Sequence, residues 1–293
     1  MYFKIFLIFW YKQIQKFTIR HHKLSTTRLF RSFRRRYINY AQSKCSSNFV
    51  VLDGRKMNVD YDEYLKILFE DDSIMTKFVK NNIKKGDTVL DLGANIGYWT
   101  SLLAELVGKE GHVYAFEPEP HNFELLKKNI EINNYQNVTL EQKAISNKTG
   151  KTNLFISDVK TDHRIYNWSG HQKSILVDTL RLDDYFINKI QSIDYVKSNL
   201  QGADYAAVLG MSNILNKSKN IKLIVEYHPD TLKEFLYDNI EFVNFLIDQK
   251  FRLYDVGENK MEYIESNKIF KKYALGKGKG TSFLCLKDNS ILQ

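Results

Sequence analysis

The sequence predicts an α/β protein, a doubly wound, mostly parallel sheet, and three observations lead there. From residue 87 onward, short apolar runs alternate with segments of helical length and spacing, the pattern of repeated strand–helix–strand units. One run, 88–92, breaks into the turn Gly93-Ala94-Asn95-Ile96-Gly97 and then opens a helix, the unit that brings a parallel sheet's backbone close to a nucleotide-like ligand. Hydrophobic residues make up 43% of 293, enough for a substantial core, and the three prolines (Pro118, Pro120, Pro229) mark no long linker.

The elements follow in order. Residues 49–52 and 56–59, separated by Asp53-Gly54, read as a hairpin. Helical spacing over 64–79 leads to strand 88–92, helix 97–107, strand 112–116 and helix 121–133. Strand 138–142 precedes an apolar stretch at 152–156, predicted antiparallel because a turn falls at 147–150. Strand 174–178 and a short helix over 180–186 come next, then strand 193–198 and helix 203–217. A strand over 221–225 ends at Glu226, a long helix spans 232–250, and strands 251–256 and 282–286 close the sheet. Ligands of such sheets sit at the carboxyl ends of the strands, which aligns Asp91 to Gly97, Glu117, Gln142 and Asn199 along one edge.

Charge divides the chain into an arm (1–47) and a body (48–293). Eleven of the 43 Lys and Arg residues lie within residues 1–52 with none of the 34 acids, leaving the remainder nearly neutral. Such an arm can meet nucleic acid, anionic lipid or an acidic partner. The apolar start, residues 1–10, is shorter than the ~20 residues a membrane-spanning helix needs, and Lys12, Lys16 and Arg20 follow it. It reads as an interfacial anchor, or as a segment that packs on the body or is disordered. Arg34, Arg35 and Arg36 interleave with Phe30, Phe33 and Tyr37; helical spacing favours a membrane-surface face over a nucleic-acid contact, so peripheral membrane contact through residues 1–40 is expected. Two cysteines, Cys45 and Cys285, make neither a disulfide framework nor a cysteine metal site, which suits a reducing, cytoplasmic setting. No metal is expected.

Asp91 carries the first chemical information. A dinucleotide site places an apolar residue there, because a pyrophosphate approaches the helix N-terminus; an acid would repel it. The turn therefore suits a nucleoside with a positively charged tail. Glu117, at the end of the second strand, can accept from both hydroxyls of a ribose, or alternatively cap the helix that begins near Pro120.

The runs Asp91-Leu-Gly-Ala-Asn-Ile-Gly-Tyr-Trp-Thr100 and Val113-Tyr-Ala-Phe-Glu-Pro-Glu-Pro120 resemble the first two motifs of class I S-adenosylmethionine-dependent methyltransferases, and more narrowly the FkbM family. The likeness continues through Asn129, Ala144-Ile-Ser146, Leu182-Asp183-Asp184, Val196 to Asp204 and Leu209-Gly210. It implies a Rossmann-like, seven-stranded sheet and S-adenosylmethionine as cofactor. Asp91, Gly93, Ala94, Asn95 and Gly97 would hold the methionine end, Glu117 the ribose, and Gln142 with Ala144 the adenine. The family's usual Lys-Ile-Asp-Val-Glu-Gly-Ala-Glu reads here Lys197-Ser-Asn-Leu-Gln-Gly-Ala-Asp204. Asn199 in place of Asp cannot act as a base and is a poor ligand for a hard cation, though it can orient a substrate.

Candidate bases are His163, within an Asp162-His163-Arg164 loop that one subgroup of the family shares, and Glu226 at the end of a central strand. His228 is expected to cap a turn, and His21-His22 carry no metal-ligand spacing. The resemblance implies O-methylation of a hydroxyl, of a sugar or glycan acceptor. Two other readings stay open: a nucleic-acid methyltransferase using the basic arm, and a cofactor-binding protein that lost turnover through Asn199.

Overall fold

The computed structural model describes residues 50–59, 73–157, 162–167, 173–190, 192–257 and 260–287. The arm expected over 1–47 lies outside them, as does most of the helix expected over 64–79. Two units divide at Thr76. In the first, β1 (Val50–Leu52) pairs antiparallel with β2 (Arg55–Met57) around Asp53-Gly54, the expected hairpin. Helix α1 (Ile74–Asn82) starts at Ser73, whose Oγ accepts the Thr76 N–H at 3.0 Å.

The unit from Lys77 onward carries the predicted alternation. Strands β3 (Thr88–Leu92), β4 (His112–Phe116) and β5 (Val138–Glu141) are linked by α2 (Tyr98–Val107) and α3 (Pro120–Ile132). A small sheet follows: β6 (Ala144–Ile145), β7 (Gly150–Phe155) and β8 (Ser174–Leu180), in the order β6-β8-β7. After α4 (Leu182–Tyr185) the chain returns to the main sheet through β9 (Tyr195–Ser198), α5 (Asp204–Gly210), α6 (Ser212–Lys217) and β10 (Lys222–Tyr227). Helices α7 (Pro229–Glu234) and α8 (Asn239–Asp248), strands β11 (Phe251–Val256) and β12 (Met261–Tyr263), helix α9 (Ser266–Lys272) and strand β13 (Thr281–Lys287) complete it.

The main sheet has the order β12-β11-β13-β10-β9-β3-β4-β5, parallel from β10 to β5 and antiparallel beyond. It therefore has eight strands where seven were expected. The extra one, β12, is three residues long with two exposed, so it lacks the apolar run that announces a strand. The central strands are buried on both sides, as continuous apolar runs require. Leu90, Leu92, Val196, Leu223 and Val225 pack on one face with Tyr205, Val208 and Phe242 of the helices. Ala115 packs on the other with Leu126 and Ile130 of α3.

Two expected helices are each two. The segment 203–217 breaks at Met211 because Asp183 accepts the N–H groups of Asn213 and Ile214 and so starts a fresh helix. That gives the Leu182-Asp183-Asp184 motif a structural role. The segment 232–250 starts earlier, at Pro229, and breaks at Leu236 (φ 61°); Asp238 then caps α8 through Ile240 and Glu241. Cys285 is buried on β13. Among the described residues no helix is long and apolar enough to cross a membrane, and no group of three His, Cys, Asp or Glu could hold a metal ion.

Candidate functional site

Strand register assembles the site. Leu92 lies beside Phe116 and Ser198, Phe116 beside Glu141, and Ser198 beside Val225. The next residue on each strand is Gly93, Glu117, Gln142, Asn199 or Glu226, so these five form one row at the carboxyl edge. Because Asp91, Lys197, Ile224 and Ala115 are also register partners, Asp91 and Lys197 share the face on which Gly93, Glu117, Asn199 and Glu226 stand two residues on.

The turn after β3 is closed on itself. The N–H groups of Gly93 and Ala94 both reach the Phe116 carbonyl at 3.0 Å, and that of Gly97 reaches the Ala94 carbonyl at 2.9 Å. Asn95 N–H donates to Glu117 Oε2 at 2.8 Å, and Ile96 N–H to Asn95 Oδ1 at 2.7 Å. All five donors that would cradle a phosphate are thus occupied, which agrees with the reading of Asp91 against a dinucleotide. Both glycines are required by packing. A Cβ on Gly93 (φ +75°) would lie 2.3 Å from the Asn199 carbonyl oxygen, and one on Gly97 (φ +89°) would lie 2.6 Å from Leu126 Cδ1. Asn129, fully buried, fixes the turn by donating to the Ile96 carbonyl at 2.7 Å.

The Asp91 side chain, expected at the open edge, is turned into the protein. It is fully buried, accepts from Thr100 Oγ1 at 2.6 Å, and pairs with Lys197 Nζ at 3.1 Å. Lys197 also donates to the Gly93 carbonyl at 3.0 Å. Sequence reasoning missed this pair, although a lysine inside a buried strand demands a partner and an acid stood on the neighbouring strand. The side chains of Ala94 and Ala144 pack inward: Ala94 with Leu126 and Ile130, and Ala144 with Leu154 and Val177 of the small sheet. Gln142 stands exposed in the row.

Glu117 stays with the site. The alternative, that it caps the following helix, fails because Glu119 caps α3 through the Asn122 N–H. Glu117 Oε2 takes the Asn95 N–H, and Oε1 takes the Glu119 N–H at 2.9 Å. Each oxygen keeps a lone pair, so the carboxylate is aimed and can still accept from two hydroxyls. Burial raises its pKa to about 7.

Across β9 the edge is less complete. Asn199 is exposed, and its Oδ1 accepts from Gln201 Nε2 at 2.7 Å, leaving the amide NH2 as the group it presents. The segment 162–167 is tied beside it. Arg164 Nε bonds Asp162 Oδ1 at 2.8 Å, its Nη1 bonds Glu234 Oε2 at 2.9 Å, and Tyr166 Oη donates to the Gln201 carbonyl at 3.0 Å. His163 Nδ1 accepts from the Ser157 N–H at 3.1 Å. With that bond made, a neutral His163 carries its proton on Nε2.

Glu226 is half-buried, and its Oε2 is sealed from solvent with no hydrogen-bond partner among the described residues. Its pKa is raised to about 8, first by burial and then by the nearby Asp204 carboxyl; Lys197 and Arg164 act the other way. Asp204 itself is fully buried and accepts from Ser198 Oγ at 2.6 Å and from the Leu200 N–H. His228 caps α7 with its backbone carbonyl, not its ring, so the expected cap is a main-chain one.

An aimed, buried carboxylate for a ribose, a turn with no free donor for phosphate, and an uncompensated carboxyl for a cation fit S-adenosylmethionine. Residues 91–253 match the family model described as the methyltransferase FkbM domain. Among curated proteins, the chain is 39% identical over 59 residues to a protein-L-isoaspartate O-methyltransferase of Methanothrix thermoacetophila, covering 20% of this chain and 28% of that protein. It is 23% identical over 146 residues to methyltransferase 1 of Beauveria bassiana, covering 43% of this chain and 58% of that one. The chain thus spans under two thirds of these relatives' length. Similar solved structures include an FkbM methyltransferase from Methylobacillus flagellatus, with 12% identity and a TM-score of 0.41 over 68% of this chain and 43% of that one. A putative rRNA methylase from Clostridium thermocellum has 17% identity and a TM-score of 0.45 over 75% of this chain and 97% of that one.

Proposed function

Because this chain belongs to the FkbM methyltransferase domain family, we propose that it is an S-adenosylmethionine-dependent methyltransferase, that it methylates a hydroxyl of a sugar or glycan acceptor, and that Glu226 removes the hydroxyl proton. When bound, the cofactor supplies a methyl group on a sulfonium sulfur. Glu117 would hold its ribose. Asp91 acts indirectly, by fixing Lys197 against the Gly93 carbonyl beneath the row.

The observation that carries the reading is the Glu226 carboxyl, which stands in the row one strand beyond Asn199 with its Oε2 unpartnered. Its raised pKa makes it a stronger base than an ordinary glutamate, as removal of a hydroxyl proton requires. Asn199 would orient the acceptor oxygen with its amide NH2, in place of the family's usual Asp. Positioning and proton removal are then the protein's share of the catalysis.

The test is a titration of the full chain with S-adenosylmethionine, followed by transfer of a labelled methyl group to a panel of sugars and glycans, in wild type and Glu226→Gln. Transfer that E226Q lowers about a hundredfold or more supports the proposal. No cofactor binding overturns the whole reading, and binding with transfer only to RNA or to carboxylates overturns the hydroxyl acceptor. For the arm we propose contact with anionic lipid: a chain lacking residues 1–45 should lose binding to phosphatidylserine vesicles and keep its cofactor affinity.

A further inference from the structure

We propose that Glu226 answers to the charge on the cofactor: it ionises when the cationic donor binds and regains a proton when the neutral product is left. The inference rests on the methyltransferase reading and goes beyond Glu226's part in the chemical step. It begins from how the carboxyls of this face are compensated. Asp91 has Lys197 and Thr100; Asp204 has the Ser198 hydroxyl and the Leu200 N–H; Glu117 has two backbone N–H groups; Asp162 and Glu234 share Arg164. Asp91 Oδ1 and Glu226 Oε2 both lack a hydrogen bond, but Asp91 Oδ1 has the Lys197 ammonium at 3.1 Å, whereas Glu226 has no ion pair among the described residues. The charged groups that act on it are Asp204 of α5, Lys197 of β9, and Arg164 and Asp162 of the segment beside it. Both cations are already engaged, Lys197 with Asp91 and Arg164 with two acids, so the counter-charge Glu226 lacks has to come with a ligand.

A free enzyme therefore keeps Glu226 protonated near neutral pH, in line with its pKa of about 8. A cation arriving in the row favours the carboxylate, and the proton leaves to solvent. In the transfer step the acceptor O–H bond breaks and its proton goes to the Glu226 carboxylate. The oxygen's electron pair forms the new O–C bond; the S–C bond breaks with its pair staying on sulfur, and the positive charge disappears. With no cation left, Glu226 holds the proton until the next donor displaces it. The proton of the acceptor would thus leave on donor binding, and the product would be held less tightly than the donor as pH rises.

Calorimetry of the 293-residue chain in two buffers of different ionisation enthalpy tests this at pH 7. S-adenosylmethionine should release about half a proton more than S-adenosylhomocysteine. Glu117, with its own pKa of about 7, meets the same ribose in both ligands and cancels from that difference. From pH 6 to pH 8 the ratio of the product's dissociation constant to the donor's should rise about tenfold. In E226Q both differences should vanish. Equal proton release by the two ligands in wild type overturns the inference without relying on any variant. A difference that survives in E226Q overturns it too, assigning the proton to Asp204. Failure of the donor to bind at all would instead overturn the methyltransferase reading beneath it.

Discussion

The two halves of the sheet edge differ in how completely the protein satisfies its own polar groups. Around β3 and β4, every N–H of the 93–97 turn has an internal acceptor, and both Glu117 oxygens are held by backbone donors. Around β9 and β10, Asn199 stands exposed and Glu226 keeps a sealed oxygen without a partner. The turn and the Glu117 carboxylate of the first half are thus held in place by the protein's own backbone. The second carries unmet hydrogen-bonding and charge requirements, which is what a reacting site retains and a purely structural region removes.

The largest effect should come from the point where the halves touch. Gly93→Ala would place a methyl 2.3 Å from the Asn199 carbonyl, at a φ that side chains rarely adopt. We expect a loss of about 4 kcal/mol or more, or failure to fold, read by denaturant titration. Next stands the ion pair that spans β3 and β9. Lys197→Met leaves Asp91 charged and fully buried, so stability should fall by about 3–5 kcal/mol, and Asp91→Asn on top of it should recover part of that loss. An unchanged melting temperature in K197M would show that the halves are not joined by this pair.

Glu117 and Glu226 separate the halves by pH. Glu117→Ala should weaken S-adenosylmethionine about ten- to a hundredfold and cost about 1–3 kcal/mol of stability, because the Asn95 and Glu119 N–H groups lose their acceptor. Because the Glu117 pKa is about 7, wild-type affinity for S-adenosylhomocysteine, whose neutral sulfur leaves Glu226 unchanged, should decline as pH falls from 8 to 6, where protonation removes acceptor capacity, and E117Q should be flat for that ligand. Glu226 acts on stability in a window set by its two states. Its folded pKa of about 8 exceeds the usual value of 4.5, so between them the folded chain holds a proton the unfolded chain has lost. That contribution is full below pH 4.5 and is lost as pH rises through 8. The melting temperature should therefore decline over this range in wild type, and less steeply in E226Q.

Much of this was legible in the sequence, for a physical reason. The central parallel strands announce themselves because they are apolar on both faces and bounded by turns, and β3, β4 and β11 lie where the pattern placed them. Glu117 was legible because its place follows from strand order alone. What could not be read depends on contacts distant in sequence: Asp183 starting α6, Lys197 neutralising Asp91, and Ser157 fixing the His163 tautomer. Asp91 shows the limit well. Its charge argued rightly against phosphate, but the cation it meets is a lysine 106 residues on and not the ligand.

The smallest effect tests whether the 162–167 segment belongs to the acceptor half. Tyr166 Oη donates to the Gln201 carbonyl and accepts from Arg164 Nη1 at 2.9 Å, so it ties that segment to the turn that holds Asn199. Tyr166→Phe removes one hydroxyl, while Arg164 keeps Asp162 and Glu234, and the ring keeps its contact with Phe235. The cost to stability should therefore be about 1 kcal/mol. None of these partners reaches Glu117 or the 93–97 turn. Cofactor affinity should thus stay within about twofold, while the acceptor KM rises several-fold because Asn199 loses a support. If Y166F weakens the cofactor as much as the acceptor, the segment spans both halves, and the division between frame and reacting site would have to be drawn elsewhere.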